Sequence, residues 1–264
     1  MQNSPIPLNA PPVLVLQSGF TQNADLDRSN APGIFSIFIE ILTGSTDHFQ
    51  VSVFPPGRKS YAEQDRGQIV QSLYLKEEAI LLAGCQHIHP FCAPSQAYTC
   101  RMLVGAGLAG TLVNLISRIE DAEPNWHGQQ KLLGLVKVLL VYIGRAYALR
   151  ELPAESWEMG VFTRFNKMVA ADQFNRRPVT DYASALSVGL ATLNTALRKV
   201  SGMTARQIIQ YHIIYEAKKA AITSDLPMKT VASDLQFGDV AHFSKFFRIG
   251  AGTTYSDYKR AFVI

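Results

Sequence analysis

The sequence of 264 residues predicts an α+β protein, in which a small β-rich region comes first and an all-α domain with two helix-turn-helix units comes last. Three observations support this prediction. Apolar positions in the last third repeat at a spacing of 49 to 50 residues, which indicates a duplicated unit. Short alternating apolar runs fill 35–98, and the apolar period changes to that of helices from residue 111 onward. We therefore expect a first region over 1–150, β-rich to about residue 100 and helical over 101–150, and an all-α domain over 160–264.

Candidate strands occupy the start of the first region, because β-branched and aromatic residues alternate with polar ones between turn signals. These strands are 35–41, 49–54, 68–75 and 78–82. Pro55-Pro56-Gly57 marks one of the turns. Several short strands separated by turns predict a small β-barrel or sandwich.

Two apolar stripes with a helical period predict two helices after the strands. The first stripe comprises Leu112, Leu115, Ile116 and Ile119. The second comprises Leu132, Leu133, Leu135, Val136, Leu139, Leu140 and Ile143. Pro124 and Gly128 are expected to break the helices, and 149–158 with Pro153 is the expected linker to the C-terminal domain. The second stripe covers much of its helix and fits either a domain core or a dimer seam; we expect a homodimer.

The repeated pattern places one helix-turn-helix unit at 179–200 and another at 228–249. The positions related by 49 residues are Ala183, Leu186 and Val188 with Ala232, Leu235 and Phe237. The positions related by 50 residues are Leu193, Leu197, Gly202 and Thr204 with Phe243, Phe247, Gly252 and Thr254. In each unit a small residue lets two helices pass closely, and apolar residues four apart put one face of the second helix in the core. The opposite face is then free to enter the major groove of DNA.

Two further features concern the start of each recognition helix and the spacing of the units. Asp239 is a good N-cap for the recognition helix of the second unit, whereas Gly189 holds the equivalent place in the first and caps more weakly. Residues 204–223 predict a long, largely buried helix that fixes the separation of the units. Such a pair presents two recognition helices to successive major-groove segments, roughly 34 Å apart.

A set of residues over 179–262 gives this pattern a specific resemblance. The set comprises Asp181, Tyr182, Ala183, Leu193, Asn194, Gly202, Met203, Thr204, Ala217, Lys218, Ser224, Asp225, Leu226, Val231, Ala232, Phe237, 243–248, Gly252, Tyr258 and Lys259. With these residues the segment resembles the DNA-binding domain of the AraC/XylS family of bacterial transcription regulators. The chain departs from the family pattern, which usually has Gly, Pro, Arg and Arg, at four positions. These positions are Gln236, Tyr255, Lys259 and Ile213.

The resemblance implies which residues face DNA. In the first recognition helix the implied base-facing residues are Ala191, Asn194 and Thr195. In the second they are Val240, Ala241, His242 and Lys245. The residues expected to contact phosphates are Arg198, Lys199, Arg206, Arg248 and Lys259. Among the base-facing residues, Asn194 suits an adenine edge, His242 suits a guanine, and Lys245 suits a guanine or a phosphate.

The resemblance also implies a layout and partners for the whole chain. In the layout of the family, an N-terminal cupin-like barrel senses an effector and the helices after it dimerise. The implied function is sequence-specific regulation of transcription, more often activation than repression. The implied partners are double-stranded promoter DNA, RNA polymerase and a small-molecule effector. A different possibility is a DNA-binding protein whose N-terminal half is purely structural and which is controlled by its own abundance.

Charge and the missing motifs narrow the function classes. Residues 160–264 hold 14 Lys and Arg against 7 Asp and Glu, a net charge of +7, while the rest of the chain has a net charge of −3, which indicates a polyanionic partner for the C-terminal segment. The first 20 residues lack the basic start of a signal peptide, and no apolar stretch is convincing as a membrane span, so we expect a cytoplasmic protein without a membrane partner. No paired carboxylates, Ser-His-Asp arrangement or P-loop is evident, and we expect neither an enzyme nor a cofactor.

Two motifs suggest other chemistry. Residues 105–110 fit the G-x-G-x-x-G pattern of dinucleotide sites, but the sequence predicts a helix where such a site requires a second parallel strand. Potential metal ligands lie within eight residues of each other, at Cys85, His87, His89 and Cys92. On an extended strand, positions 85, 87 and 89 would share a face. The favoured interpretation is buried thiols and a hydrogen-bonded histidine without metal; the alternative is a metal- or redox-responsive regulator or a cupin-type metal-binding protein.

Overall fold

The computed structural model describes residues 15–19, 34–41, 48–54, 68–85, 100–120, 126–149, 156–172 and 178–262. The strands in this part of the chain are β1 Val15–Gly19, β2 Ile34–Ile41, β3 His48–Phe54, β4 Gln68–Lys76 and β5 Cys100–Gly105. The helices are α1 Glu77–Leu82, α2 Ala106–Glu120, α3 Trp126–Leu149, α4 Trp157–Ala171, α5 Val179–Ala185, α6 Leu190–Ser201, α7 Ala205–Thr223, α8 Met228–Asp234, α9 Val240–Ala251 and α10 Tyr255–Phe262. The strands expected at 35–41, 49–54 and 68–75 are confirmed.

The described strands form one antiparallel sheet in the order β1-β4-β2-β3-β5. At its centre, Ile37 of β2 pairs with Val53 of β3 on one side and with Leu73 of β4 on the other. Because successive side chains of a strand point to opposite faces, these aliphatic residues share one face, and α1, α2 and α3 cover it to close the N-terminal core. The buried aromatic residues of the opposite face are Phe38, Phe54 and Tyr74.

The sheet is open, so the small barrel or cupin-like barrel expected from the sequence is not confirmed. Among the described strands, β1 and β5 lie at the two ends of the strand order and do not pair with each other. Among the described elements, helices α1, α2 and α3 contribute the other side of the N-terminal core. Alternation along a strand reports that one face is buried but not what buries it, and for this reason the sequence could not distinguish a barrel from a sheet covered by helices.

The segment 78–82 is a helix, so the prediction of a strand there is wrong. Helix α1 has Glu77 and Glu78 in its first turn, where carboxylates interact favourably with the unpaired N–H groups of a helix start. The helix is short but residues 77–81 are all buried. Cys85 follows α1 after a turn at Gly84, whose φ is 66°, and therefore does not continue an extended strand.

Helices α2 and α3 confirm the two apolar stripes. The stripe residues that are buried are Leu112, Ile116, Ile119, Leu133, Val136, Leu139, Leu140 and Ile143. Gly128 lies within the first turn of α3, so it does not break the helices as expected. The stretch 105–110 joins β5, which is antiparallel to β3, to two successive helices, so it does not belong to the parallel β-α-β unit of a dinucleotide site. None of the described helices combines the length and apolar character needed to cross a membrane.

Helix α4 belongs to the core of the first helix-turn-helix unit. It begins after Ser156, whose hydroxyl accepts a hydrogen bond from the Met159 N–H at 3.2 Å, so the end of the expected linker is already helical. Val161, Phe162 and Phe165 of α4 are buried in the same cluster as the apolar residues of α5 and α6. The first unit is therefore a four-helix core of α4, α5, α6 and the start of α7.

His212 of α7 is buried against α4 in this region. Its Nε2 lies 3.3 Å from the Oδ1 of Asn166, whose amide in turn donates to the carbonyl of Phe162 at 3.1 Å. Burial lowers the pKa of His212 to about 4, because the charged ring would lose its hydration there. The ring is therefore neutral at neutral pH.

We expect the free energy of unfolding to decrease as the pH falls from about 6.5 to about 4, in part because of His212. In this window the unfolded chain binds a proton at His212 and the folded chain does not, so the stability is fully present above the unfolded pKa of 6.5 and is lost toward the folded pKa of about 4. The pKa difference corresponds to about 3 kcal/mol. Urea unfolding at about pH 7 and about pH 4.5 measures the loss, which should be smaller in His212→Gln than in the wild type.

The control for this prediction is His242→Gln, since the side chain of His242 is exposed. This variant should lose as much stability on acidification as the wild type. An equal loss in the wild type and in His212→Gln would contradict the assignment of a buried neutral ring at position 212.

Candidate nucleic-acid interface

The two helix-turn-helix units have the same backbone hydrogen bonds at equivalent positions. In the turn after α5, the N–H of Val188 donates to the carbonyl of Ala183 at 3.0 Å. In the turn after α8, the N–H of Phe237 donates to the carbonyl of Ala232 at 2.8 Å. The residues that repeat in the sequence therefore occupy equivalent places in the fold, and α5–α6 and α8–α9 are the two units.

The turn of each unit contains a non-glycine residue in the left-handed region. Ser187 has a φ of 56° in the first unit, and Gln236 has a φ of 60° in the second. The family pattern usually has Gly at the second of these positions, and the geometry gives the reason, since only Gly adopts this conformation without steric cost. Gly202 and Gly252, which are equivalent positions of the repeat, end the two recognition helices with φ values of 76° and 75°.

The start of each recognition helix is capped as expected. The Asp239 carboxylate accepts hydrogen bonds from the N–H groups of Ala241 at 3.0 Å and His242 at 3.2 Å. Gly189 gives α6 no side-chain hydrogen bond. Thr204 starts α7 with a reciprocal capping box in which Gln207 is the partner. The second recognition helix is therefore better fixed at its N-terminus than the first.

Helix α7 is buried in both units at once. Ala205 and Ile208 near its start lie in the core of the first unit. The residues of α7 in the core of the second unit are Ile213, Ile214, Ala217 and Ala221. Because one continuous helix of 19 residues contributes to both cores, it holds the units at a fixed separation over a length of about 28 Å.

The first recognition helix, α6, exposes two of its three predicted base-facing residues. Ala191 and Thr195 are exposed, and Leu193 and Leu197 on the opposite face are fully buried. Asn194 is half-buried, and its amide is engaged within the protein. Its Oδ1 accepts from the N–H of Ala205 at 3.0 Å, and its Nδ2 donates to the carbonyl of Leu190 at 3.1 Å. Asn194 thereby connects α6 to the first turn of α7.

Among the predicted base-facing residues, the second recognition helix, α9, exposes more polar side chains than the first. Ala241, His242 and Lys245 are exposed, and Val240 is half-buried. The ring of His242 contacts the buried ring of Phe237 in an edge-to-face arrangement with the centroids 5.3 Å apart. Phe237 lies in the turn of the same unit, and its ring helps to fix the orientation of the His242 imidazole.

The predicted phosphate contacts divide into two groups. Arg198, Arg206 and Arg248 are exposed at the ends or starts of helices. Lys199 is exposed too, but it pairs with Glu158 of α4, and the hydrogen bond from Lys199 lowers the pKa of that carboxyl.

Lys259, the fifth predicted phosphate contact, is half-buried. Its ammonium donates to the carbonyls of Ser224 at 2.9 Å and Leu226 at 3.1 Å, so it holds the loop before α8 against α10. The sequence analysis missed the exposed Lys229 of α8, which lies in the helix that crosses the DNA backbone in this type of motif. A lysine in the first helix of a helix-turn-helix unit is a sequence feature from which this contact could have been predicted.

The alternative metal site receives no support from Cys85. Its side chain is buried, its thiol donates to the carbonyl of Ala83 at 3.5 Å, and burial raises the pKa of the thiol, which disfavours the thiolate that binds metals. His87, His89 and Cys92 lie outside the described residues. Within the part of the chain that the structure describes, no three His, Cys, Asp or Glu side chains come together as metal ligands.

A comparison with known protein families identifies the segment that contains the two units. Residues 182–261 match a family model described as a helix-turn-helix domain, and this segment contains both of the units described above. No curated protein is significantly similar to the chain.

Three solved structures are similar to the chain at low identity. ToxT from Vibrio cholerae is 12% identical over 95% of this chain and 97% of that one, with a TM-score of 0.42. The C-terminal domain of AraT, a response regulator from Geobacillus stearothermophilus, is 16% identical over 42% and 91%, with a TM-score of 0.38. The xylose-binding transcription activator XylR is 13% identical over 50% and 38%, with a TM-score of 0.36. The assignment of the domain depends on the family model and on the geometry of the two units.

We expect Gln236→Gly to raise the free energy of unfolding by about 1 kcal/mol, because Gly removes the steric cost of the left-handed turn. Ser233→Gly is the matched control, since Ser233 is exposed in α8 and a helical Gly should lower the stability by up to about 1 kcal/mol. Chemical denaturation of both variants measures the two changes. A loss of stability in Gln236→Gly would mean that the glutamine side chain makes a compensating contact.

Proposed function

We propose that this protein is a sequence-specific transcription regulator whose two helix-turn-helix units bind successive major-groove segments on one face of promoter DNA. The observation that supports this most strongly is the shared helix α7, which is buried in the cores of both units. Its length of about 28 Å is close to the roughly 34 Å between successive major-groove segments. A rigid connection of that length suits two recognition helices that bind together.

The second unit contributes most of the direct recognition of bases in this proposal. Lys245 donates to a guanine edge or to a phosphate, and His242 donates to a guanine. Val240 and Ala241 offer apolar contact to a thymine methyl group. A capped and well-packed α9 holds these side chains in a fixed orientation.

The first unit contributes less hydrogen bonding to bases. Ala191 and Thr195 are its exposed candidates, whereas the Asn194 amide is bonded to Ala205 and Leu190. Contact of Asn194 with an adenine would require its release from α7. We therefore propose that the first unit recognises its segment mainly through apolar contact and through the shape of the DNA.

The positive charge of residues 160–264 supports binding to the phosphate backbone. Arg198, Arg206 and Arg248 are free at the surface to contact phosphates on either side of the grooves. Lys199 and Lys259 have partners within the protein, so we assign them weaker contributions. Neutralisation of phosphates by these side chains makes the affinity depend strongly on salt.

The N-terminal half supplies dimerisation and control in the proposed function. Helix α3 buries one face in the N-terminal core and exposes Val138, Val141 and Tyr142 on another, at a spacing that places them side by side. An apolar stripe of this kind fits a second copy of α3 in a homodimer. Sedimentation of the whole chain, with Val141→Glu as the variant, tests this seam.

The family resemblance adds a small-molecule effector, activation rather than repression, and RNA polymerase as the protein partner.

We expect selection from a random DNA library with the full chain to yield a site of two blocks about one helical turn apart. Lys245→Ala should weaken binding to that site by about 1–3 kcal/mol and relax the preference at one position if the contact is to a base. If the contact is to a phosphate, the loss is uniform across sequences and the salt dependence becomes less steep by about one unit.

The matched control for this experiment is Arg260→Ala. Arg260 is exposed, lies in α10 outside the recognition helices and pairs with Asp257 at 3.2 Å. Its loss should leave the selected sequence unchanged. Enrichment of a site with a single block, or an unchanged affinity of Lys245→Ala for the selected site, would contradict the proposed mode of binding.

A further inference from the structure

Helix α1 of the N-terminal half presents two adjacent carboxylates to the DNA-binding domain. Glu77 is 2% exposed and Glu78 is 7% exposed. Charged side chains are rarely this deeply buried unless they have partners, because ions lose their hydration in the interior. These two carboxylates bond to side chains of α7 and α10.

The partners are one lysine and two tyrosines. The Lys218 ammonium of α7 donates to Glu77 Oε2 at 3.0 Å and lies 3.4 Å from Glu78 Oε1. The hydroxyl of Tyr211, also in α7, donates to Glu77, and the hydroxyl of Tyr258 in α10 donates to Glu78 at 2.7 Å. We refer to Glu77, Glu78, Tyr211, Lys218 and Tyr258 as the charge cluster.

The charges of the cluster are divided between the two halves of the chain. The N-terminal half supplies two carboxylates, and the DNA-binding domain supplies the ammonium. Burial lowers the pKa of Lys218, but the two carboxylates outweigh this effect and hold its pKa above the ordinary value. Burial raises the pKa of Tyr258, and the charge of Glu78 adds to the rise, so this hydroxyl remains a proton donor. Removal of either side leaves buried charge without compensation on the other.

The apolar contact around the cluster is small. Leu81 of α1 packs against Tyr215 of α7, and Ile222 beside them also packs against the core of the second unit. Phe262 of α10 packs against both the N-terminal core and the core of the second unit. A cavity of about 650 Å³ borders the cluster and has Glu77, Tyr211 and Lys218 in its wall. The polar groups of the cluster therefore lie beside a limited set of apolar contacts between the two halves, and interfaces of this kind separate more readily than large apolar ones.

We propose that the charge cluster is a releasable latch between the N-terminal half and the DNA-binding domain. When it is closed, it holds α7 and α10 against α1. When it is open, the two helices lose that support. Helix α7 fixes the separation of the recognition helices, and α10 packs on α9. Opening or closing of the latch therefore changes the support of both units. The effect of the latch on DNA binding rests on the proposed function. The contact between the two halves does not depend on that function.

Hydrogen exchange of the full chain, with Lys218→Met and Lys219→Met as matched variants, tests the latch. Lys219 is the neighbouring residue in α7 and pairs with Glu216 of the same helix at 2.7 Å, so its loss breaks no contact between the halves. Lys218→Met should raise the exchange rates of α1 and α10 amides at least about tenfold, because two buried carboxylates lose their counter-charge. Lys219→Met should leave these rates unchanged. Unchanged exchange in a folded Lys218→Met protein would overturn the proposal.

Two further variants keep the test decisive. If Lys218→Met unfolds the whole chain, Tyr258→Phe replaces it, since this variant removes only the hydroxyl that donates to Glu78. It should raise exchange in α1 and α10 by a smaller factor, and unchanged exchange in both segments would overturn the latch. A triple variant, Glu77→Leu/Glu78→Leu/Lys218→Met, removes all three charges together and should recover much of the protection in α1.

The effect on DNA is measured separately, as the affinity of the same variants for the selected two-block site. Lys218→Met should change that affinity several-fold relative to Lys219→Met. An equal affinity of the two variants, with wild-type binding intact, would overturn the coupling to the recognition helices. If the wild-type chain selects no site, the proposed function fails, while the exchange experiment still decides whether the latch holds the two halves together.

Discussion

The burial of one helix in two cores is the constraint on which the rest of this structure depends. Helix α7 contributes to the first unit at one end and to the second unit at the other, so neither unit can shift without disturbing the packing of the shared helix. The separation and relative orientation of α6 and α9 follow from this helix. The side chain of Asn194 supports the same arrangement, because it bonds α6 to the first turn of α7. In the proposed mode of binding, recognition of DNA by two units therefore depends on α7 as much as on the recognition helices.

The same helix also receives the N-terminal half. Lys218 and Tyr211 lie on α7 and bond to Glu77, and Tyr215 packs against Leu81. Charged groups in such a place contribute little net stability, since the cost of their desolvation offsets the attraction between them. These groups favour one arrangement of the two halves over others. Removal of one partner strongly destabilises that arrangement. In the proposed latch, a change in the N-terminal half is transmitted to both recognition helices through these contacts with α7.

The sequence predicted the two units well because their apolar repeat, the repeated Gly202 and Gly252, and the Asp239 N-cap are local features. The open sheet could not be predicted, since alternation in β2, β3 and β4 does not specify whether helices or strands cover the buried face. Helix α1 was mistaken for a strand because its short run from Glu78 to Leu82 has no distinctive period. The contacts of Asn194, Lys259 and Glu77 were not predictable either, because each joins residues that are far apart along the chain or in different elements.

The central claim, that a rigid α7 fixes the spacing of the two recognition helices, is tested most directly by altering the DNA between the two blocks of the selected site. Binding of the full chain is measured for the native spacing and for insertions of about 5 and about 10 base pairs, which are half a turn and a full turn. A rigid connection predicts that both insertions reduce the affinity to that of a site with a single block. Recovery of the affinity with the full-turn insertion, where the blocks again face the same side, would show that the units move independently and would contradict the account.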